Sequence, residues 1–77
     1  MEKLVETIAK YLVDNPDQVT VTETTEEDGT IILALRVAKE DMGKVIGKKG
    51  RIAKSIRTVV KTVAIKEDKR VVVDIIE

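Results

Sequence analysis

The chain contains no cysteine, histidine, tryptophan or phenylalanine, and a single tyrosine, Tyr11. Without cysteine, neither a disulfide framework nor a thiolate metal site can form. Without histidine, the commonest metal ligand and the commonest general base are both missing. Ser55 is the only serine, and no base stands near it in the sequence. The acidic residues fall mostly in turns and helix starts; Glu26, Glu27 and Asp28 read as a solvated hairpin turn in preference to a weak metal site. An enzyme is therefore not expected, and no cofactor or metal is implied. No apolar run is long enough to span a bilayer. The N-terminal Met-Glu-Lys-Leu-Val-Glu-Thr-Ile places charges where a signal peptide needs an apolar run. A soluble, cytoplasmic protein is expected. Lys and Glu are abundant, while Asn15 and Gln18 are the only side-chain amides, a composition that suits a thermophile.

A fourth absence is local. From Met42 to Lys66 there is no acidic residue, yet there are eight basic ones: Lys44, Lys48, Lys49, Arg51, Lys54, Arg57, Lys61 and Lys66. The formal net charge of zero hides this, because the rest of the chain carries six bases against fourteen acids, 6 − 14 = −8. One segment is a positive patch and the remainder repels polyanions, which aims long-range attraction for a phosphate-bearing ligand at one place. The plainer alternative is a solvated helix face. A carboxylate-free stretch of twenty-five residues favours function.

The 77 residues make one domain with a modest core. Residues 2–13 read as an amphipathic helix, with Leu4, Val5, Ile8, Tyr11 and Leu12 on one stripe that places Tyr11 in the core. Asp14-Asn15-Pro16-Asp17 stops it, since a residue before proline is pushed out of the helical region. Residues 18–24 alternate as an edge strand, Val19, Val21 and Glu23 on one side and threonines on the other. Glu26-Glu27-Asp28-Gly29 is a hairpin turn with Asp-Gly supplying positive φ angles. Residues 30–37 form a second strand, Ile31, Leu33, Leu35 and Val37 inward, and Ile32, Ala34 and Arg36 outward. A short helix is expected over 39–46, with Glu40 and Asp41 in its first turn and Gly47 as its left-handed C-terminal residue. After Gly50 another helix runs to about Ala64, with Ile52, Ile56, Val59, Val60 and Val63 as its apolar stripe. Following a polar turn at 66–69, residues 70–76 form the last strand, Val71, Val73 and Ile75 inward and Val72, Asp74 and Ile76 outward. The order α-β-β-α-α-β implies an α+β fold. A hairpin pairs with a third, parallel strand through a right-handed crossover, giving a three-stranded mixed sheet with helices on one face.

The stretch Val45-Ile46-Gly47-Lys48-Lys49-Gly50-Arg51-Ile52 joins the two expected helices. Free N–H groups and the positive dipole end of the second helix favour an anion there. Glycine at 47 and 50 lets a sugar–phosphate backbone approach, and Lys48 and Lys49 add mobile positive charge. The P-loop spacing and the G-x-G of the dinucleotide fingerprint are both absent. The structural alternative is a tight helix–helix turn with a capping glycine and incidental lysines.

Ile46-Gly47-Lys48-Lys49-Gly50-Arg51-Ile52 resembles the I-G-x-x-G motif of KH domains, which bind single-stranded RNA or DNA through a loop that clamps about four nucleotides. The element order is similar to the type II KH fold, and Asp41-Met42-Gly43-Lys44-Val45-Ile46-Gly47 resembles the small bacterial single-KH proteins of the KhpA type. The resemblance covers the whole chain. It implies cytoplasmic binding of single-stranded RNA, self-association as a homodimer, and pairing with a larger KH-containing protein. The candidate contact residues are Gly47, Lys48, Lys49, Gly50 and Arg51, with Lys44, Lys54 and Arg57 around them. Val45 and Ile46 fit either groove or core, Leu35 and Val37 fit groove or subjacent positions, and Ile52, Ile56 and Val59 fit the core better. The family's usual apolar position three residues after the second glycine is Ala53 here, with Ile52 one earlier. A lone tyrosine argues against modules that stack bases on aromatic rings, whereas a KH groove grips bases with aliphatic side chains. The alternative function is a protein-interaction module on the same scaffold, using the outward sheet face with Ile32, Ala34, Val72 and Ile76.

Overall fold

The computed structural model describes residues 1–76, and of Lys48 and Lys49 the backbone alone. The elements follow in the order α1 (Glu2–Leu12), a single 3-10 turn at Pro16–Gln18, β1 (Thr20–Thr25), β2 (Ile31–Arg36), α2 (Lys39–Lys66) and β3 (Val71–Ile76). The strands form one sheet in the order β1-β2-β3. β1 runs antiparallel to β2 from Thr20↔Arg36 to Thr25↔Ile31. β3 runs parallel to β2 from Ile31↔Val71 to Arg36↔Ile76. This is the expected α+β mixed sheet, with β1 and β3 as its two edges.

Period-two alternation decides which strand residues enter the core. Leu33 and Leu35 are fully buried and Val73 nearly so, while Val72, Asp74 and Ile76 face outward and are exposed. The inward side chains meet Val5 and Ala9 of α1 and Val45, Ala53, Ile56 and Val60 of α2. Both helices thus lie on one face of the sheet, and its other face is left uncovered.

α1 departs from expectation at Tyr11, which is 85% exposed. At 100° per residue, Tyr11 sits 200° around the helix from Ala9, the buried residue two before it. The stripe that enters the core is centred on Val5 and Ala9, with Leu4, Ile8 and Leu12 at its margins. The hairpin turn is also built differently. Only Gly29 takes a positive φ, +91°. Gly29 N–H donates to the Glu26 carbonyl at 2.9 Å and Glu26 N–H to the Thr30 carbonyl at 2.8 Å, the pattern of a turn followed by a left-handed glycine. Asp28 helps in another way: its carboxylate accepts the Thr30 N–H at 2.9 Å. That bond holds its pKa below the usual carboxylate range.

Where two helices separated by a loop are expected, hydrogen bonding runs continuously from Lys39 to Lys66. Within that run Gly50 has φ +65°, a left-handed conformation that a right-handed helix cannot contain without turning. A straight helix of this length would measure about 42 Å, longer than the molecule's longest axis of 34 Å. Gly50 therefore divides α2 into two segments that meet directly, with no loop between them. Gly47, expected to be the left-handed residue, is not among the positive-φ glycines, because the first segment continues for about one more turn. In the second segment the buried line is Ala53, Ile56, Val60 and Ala64. Val59, expected in the core stripe, is exposed on the flank. α2 closes at Asp68, φ +55°, with Asp68 N–H donating to Ile65 and Lys69 N–H to Ala64. These are the paired bonds of a Schellman cap, built here with aspartate at the position glycine usually takes.

Candidate nucleic-acid interface

The first turn of α2 is anchored by Asp41, which is 1% exposed. Its carboxylate accepts the Asp14 N–H at 3.2 Å, the Asn15 N–H at 3.0 Å and the Asn15 side-chain amide at 3.2 Å. Burial pushes its pKa up, but the Asn15 amide, the two backbone N–H groups and the Lys44 charge outweigh that and hold it below the ordinary carboxylate value. Asp41 thus ties the start of α2 to the chain leaving α1. A favourable helix-dipole charge is all that the sequence suggests for it. One turn on, Lys44 places Nζ 3.1 Å from Asp14 Oδ1. This expected contact residue already has a carboxylate partner within the fold.

The remaining expected residues separate by depth. Val45 is fully buried in the core, so it can only support the surface from beneath. Leu35 and Val37 are buried under the same region. Ile46 is 55% exposed, and Arg51, Lys54 and Arg57 are exposed. The side chains of Lys48 and Lys49 lie outside the described residues. Ile46, Gly50, Lys54 and Arg57 come together with Ala53 and Ile75 around a cleft of ≈ 360 Å³. It has an apolar part from Ile46, Ala53 and Ile75, two cations from Lys54 and Arg57, and no acidic residue. Ala53 takes the place beside Gly50, while Ile52 packs against the core. Ile75 is the residue that sequence reasoning missed. Its inward phase in β3 is legible, but its meeting with the middle of α2 depends on the crossover.

The glycines divide in an informative way. A Cβ built on Gly47 meets nothing within 4 Å, and the same holds at Gly43 and Gly50. Nothing inside the molecule requires Gly47 to lack a side chain, although glycine within a helix costs about 0.5–1 kcal/mol relative to alanine. Gly47→Ala is therefore expected to stabilise the fold by up to about 1 kcal/mol. Gly50→Ala should destabilise it by about 1–2 kcal/mol because of the positive φ. Thermal melts of the two variants check this, and shifts of the same sign would contradict it.

Among the described residues, no group of three His, Cys, Asp or Glu is placed to hold a metal ion, and no helix is long and apolar enough to cross a membrane. Arg51 contributes its carbonyl to the local structure, accepting the Ser55 hydroxyl at 2.9 Å.

The comparisons with known proteins agree with this geometry. A family model described as "KhpA/KhpB, KH domain" matches residues 2–75. "RNA-binding protein KhpA" of Clostridium acetobutylicum is 68% identical over 76 residues, covering 99% of this chain and all of that protein. The protein of the same name from Listeria monocytogenes is 52% identical over 77 residues, covering both chains completely. The one from Aquifex aeolicus is 48% identical over all of this chain and 96% of its own. No solved structure matches the chain. A left-handed glycine joint in a basic helix, set on a three-stranded mixed sheet and matched along nearly its whole length, places this chain in the KhpA/KhpB KH-domain family.

Proposed function

We propose that this chain is a binding protein for single-stranded nucleic acid, RNA before DNA, and not an enzyme. The observation that carries the reading is the cleft beside Gly50, with aliphatic walls, two cations and no carboxylate. The relatives named as RNA-binding proteins support it. In this reading the Gly-Lys-Lys-Gly joint holds the sugar–phosphate backbone. The open space over Gly47 and Gly50 admits that backbone, and Lys48, Lys49 and Arg51 supply charge. Ile46, Ala53 and Ile75 receive bases by apolar contact. Lys54 and Arg57 pair with the flanking phosphates. Lys44 contributes less, because a phosphate must compete with Asp14 for it. Few phosphates are engaged, so affinity is modest and falls steeply with salt.

NMR titration of the labelled protein with short RNA and DNA oligomers tests the assignment. Amide shifts are expected to concentrate on residues 44–57 and on Ile75, larger with RNA. Shifts confined to other regions would overturn it.

A further inference from the structure

The cleft beside Gly50 does not end at Arg57. That residue also walls a second cleft of ≈ 490 Å³, which follows the C-terminal half of α2 and the outer edge of β3. Its interior is aliphatic, with Val60, Ala64 and Val73 buried behind it. Ile65 and Val72, 68% and 41% exposed, stand at its rim. Four of its lining residues are cations, Arg57, Lys61, Lys69 and Arg70, and none is acidic. On a chain with as many acids as bases, that segregation is a charge pattern fitted to a polyanion.

The geometry forms a track. Lys54, Arg57 and Lys61 recur at three and four residues, so they stack along one flank of α2 at intervals of about 5 Å. Val59 and Val63 fall on the opposite flank. Arg70 continues the line beyond the helix. Its position is fixed by its own backbone, whose carbonyl accepts the Ile31 N–H at 2.9 Å. Lys69 is committed in part to Glu67, 3.9 Å away. Lys61 and Arg70 are thus the cations best placed to act.

We propose that a strand held at the Gly-Lys-Lys-Gly joint continues past Arg57 into this second cleft, setting phosphates against Lys61 and Arg70 and a base against the Ile65–Val72 rim. This rests on the nucleic-acid reading above and extends it: the site is longer than the roughly four nucleotides that the joint alone engages. Continuity through Arg57 and the absence of any lining carboxylate select the extension of the same strand as the occupant.

The test compares oligouridine tetramer and octamer affinities for the wild type and for the double variant Lys61→Gln, Arg70→Gln. The wild type should prefer the octamer by about 30-fold or more, well beyond the roughly fivefold that extra registers on a uniform strand supply. Its salt dependence on the octamer should be steeper by about 1.4 in log–log slope, from two further phosphates. In the variant the tetramer affinity should stay within about twofold, while the octamer loses about tenfold and the added slope disappears. Equal losses on both oligomers, or none on either, overturn the extended track and leave the joint reading standing. A wild type that binds neither oligomer overturns both.

Discussion

Changing Lys48 and Lys49 together to aspartate is expected to weaken RNA binding on the order of 100-fold, taking each lost charge-assisted phosphate contact as about tenfold. The chain would go from fourteen bases and fourteen acids to twelve and sixteen, a net charge of −4. The whole of that change falls at the centre of the one positive segment, so repulsion replaces attraction where the backbone must approach most closely. The fold should survive. The core is made by Val5, Leu33, Leu35, Val45, Ile56 and Val60 among others, and aspartate in a helix costs only tenths of a kcal/mol relative to lysine. Fluorescence anisotropy with a labelled RNA, alongside circular dichroism and thermal melting, reads both properties. A folded variant with undiminished affinity refutes the assignment of the joint.

The other large effect concerns stability. Asp41→Ala should lower the melting temperature on the order of 10 °C, because the Asp14 and Asn15 N–H groups and the Asn15 amide would be left in a recess without their acceptor. Asp41→Asn keeps one acceptor oxygen and should lose less. It also separates charge from shape. The Asp41 pKa is held below that of an unfolded aspartate. Its stabilising contribution is therefore complete above the unfolded value near pH 4 and is lost as pH falls through the lower folded value. The gap in melting temperature between wild type and Asp41→Asn should be widest near neutrality and close below about pH 4. Asp28 and Glu6 are also depressed, Asp28 by the Thr30 N–H and Glu6 by Lys10 at 2.8 Å. Both are present in each protein, so they cancel in the comparison. A gap that stays constant with pH would show that the carboxylate charge adds nothing to the hydrogen bonds.

Much of this architecture is legible in the sequence because it rests on short-range periodicity. Alternation assigns Leu33 and Leu35 inward and Val72, Asp74 and Ile76 outward, and Asp28-Gly29 marks the hairpin. What is not legible is set by exact phase or by distant partners. Tyr11 is apolar enough to join a stripe, and only the centring of α1 on Val5 and Ala9 places it outside. Two glycines three residues apart are equally able to turn left-handed, and the choice of Gly50 over Gly47 depends on how far the first segment of α2 extends. Asp41 has its hydrogen-bond donors twenty-six and twenty-seven residues away, which no local pattern reveals. The same holds for the site. The basic, carboxylate-free run points to Lys54 and Arg57. The wall opposite them, Ile75, is brought there by the parallel pairing of β2 and β3.

That parallel pairing joins residues forty apart in sequence, Ile31 with Val71 at one end and Arg36 with Ile76 at the other. Of the described elements, β3 is the last to leave the ribosome. Until it does, the hairpin has one unpaired edge, α2 has no strand to lie against, and the cleft lacks Ile75. A nascent chain would already display the whole basic run of α2 while the groove beside it was still unbuilt. Maturation of the site is thereby coupled to completion of the domain: early attraction for nucleic acid would be electrostatic and undiscriminating, and a shaped groove would arrive only with the final strand.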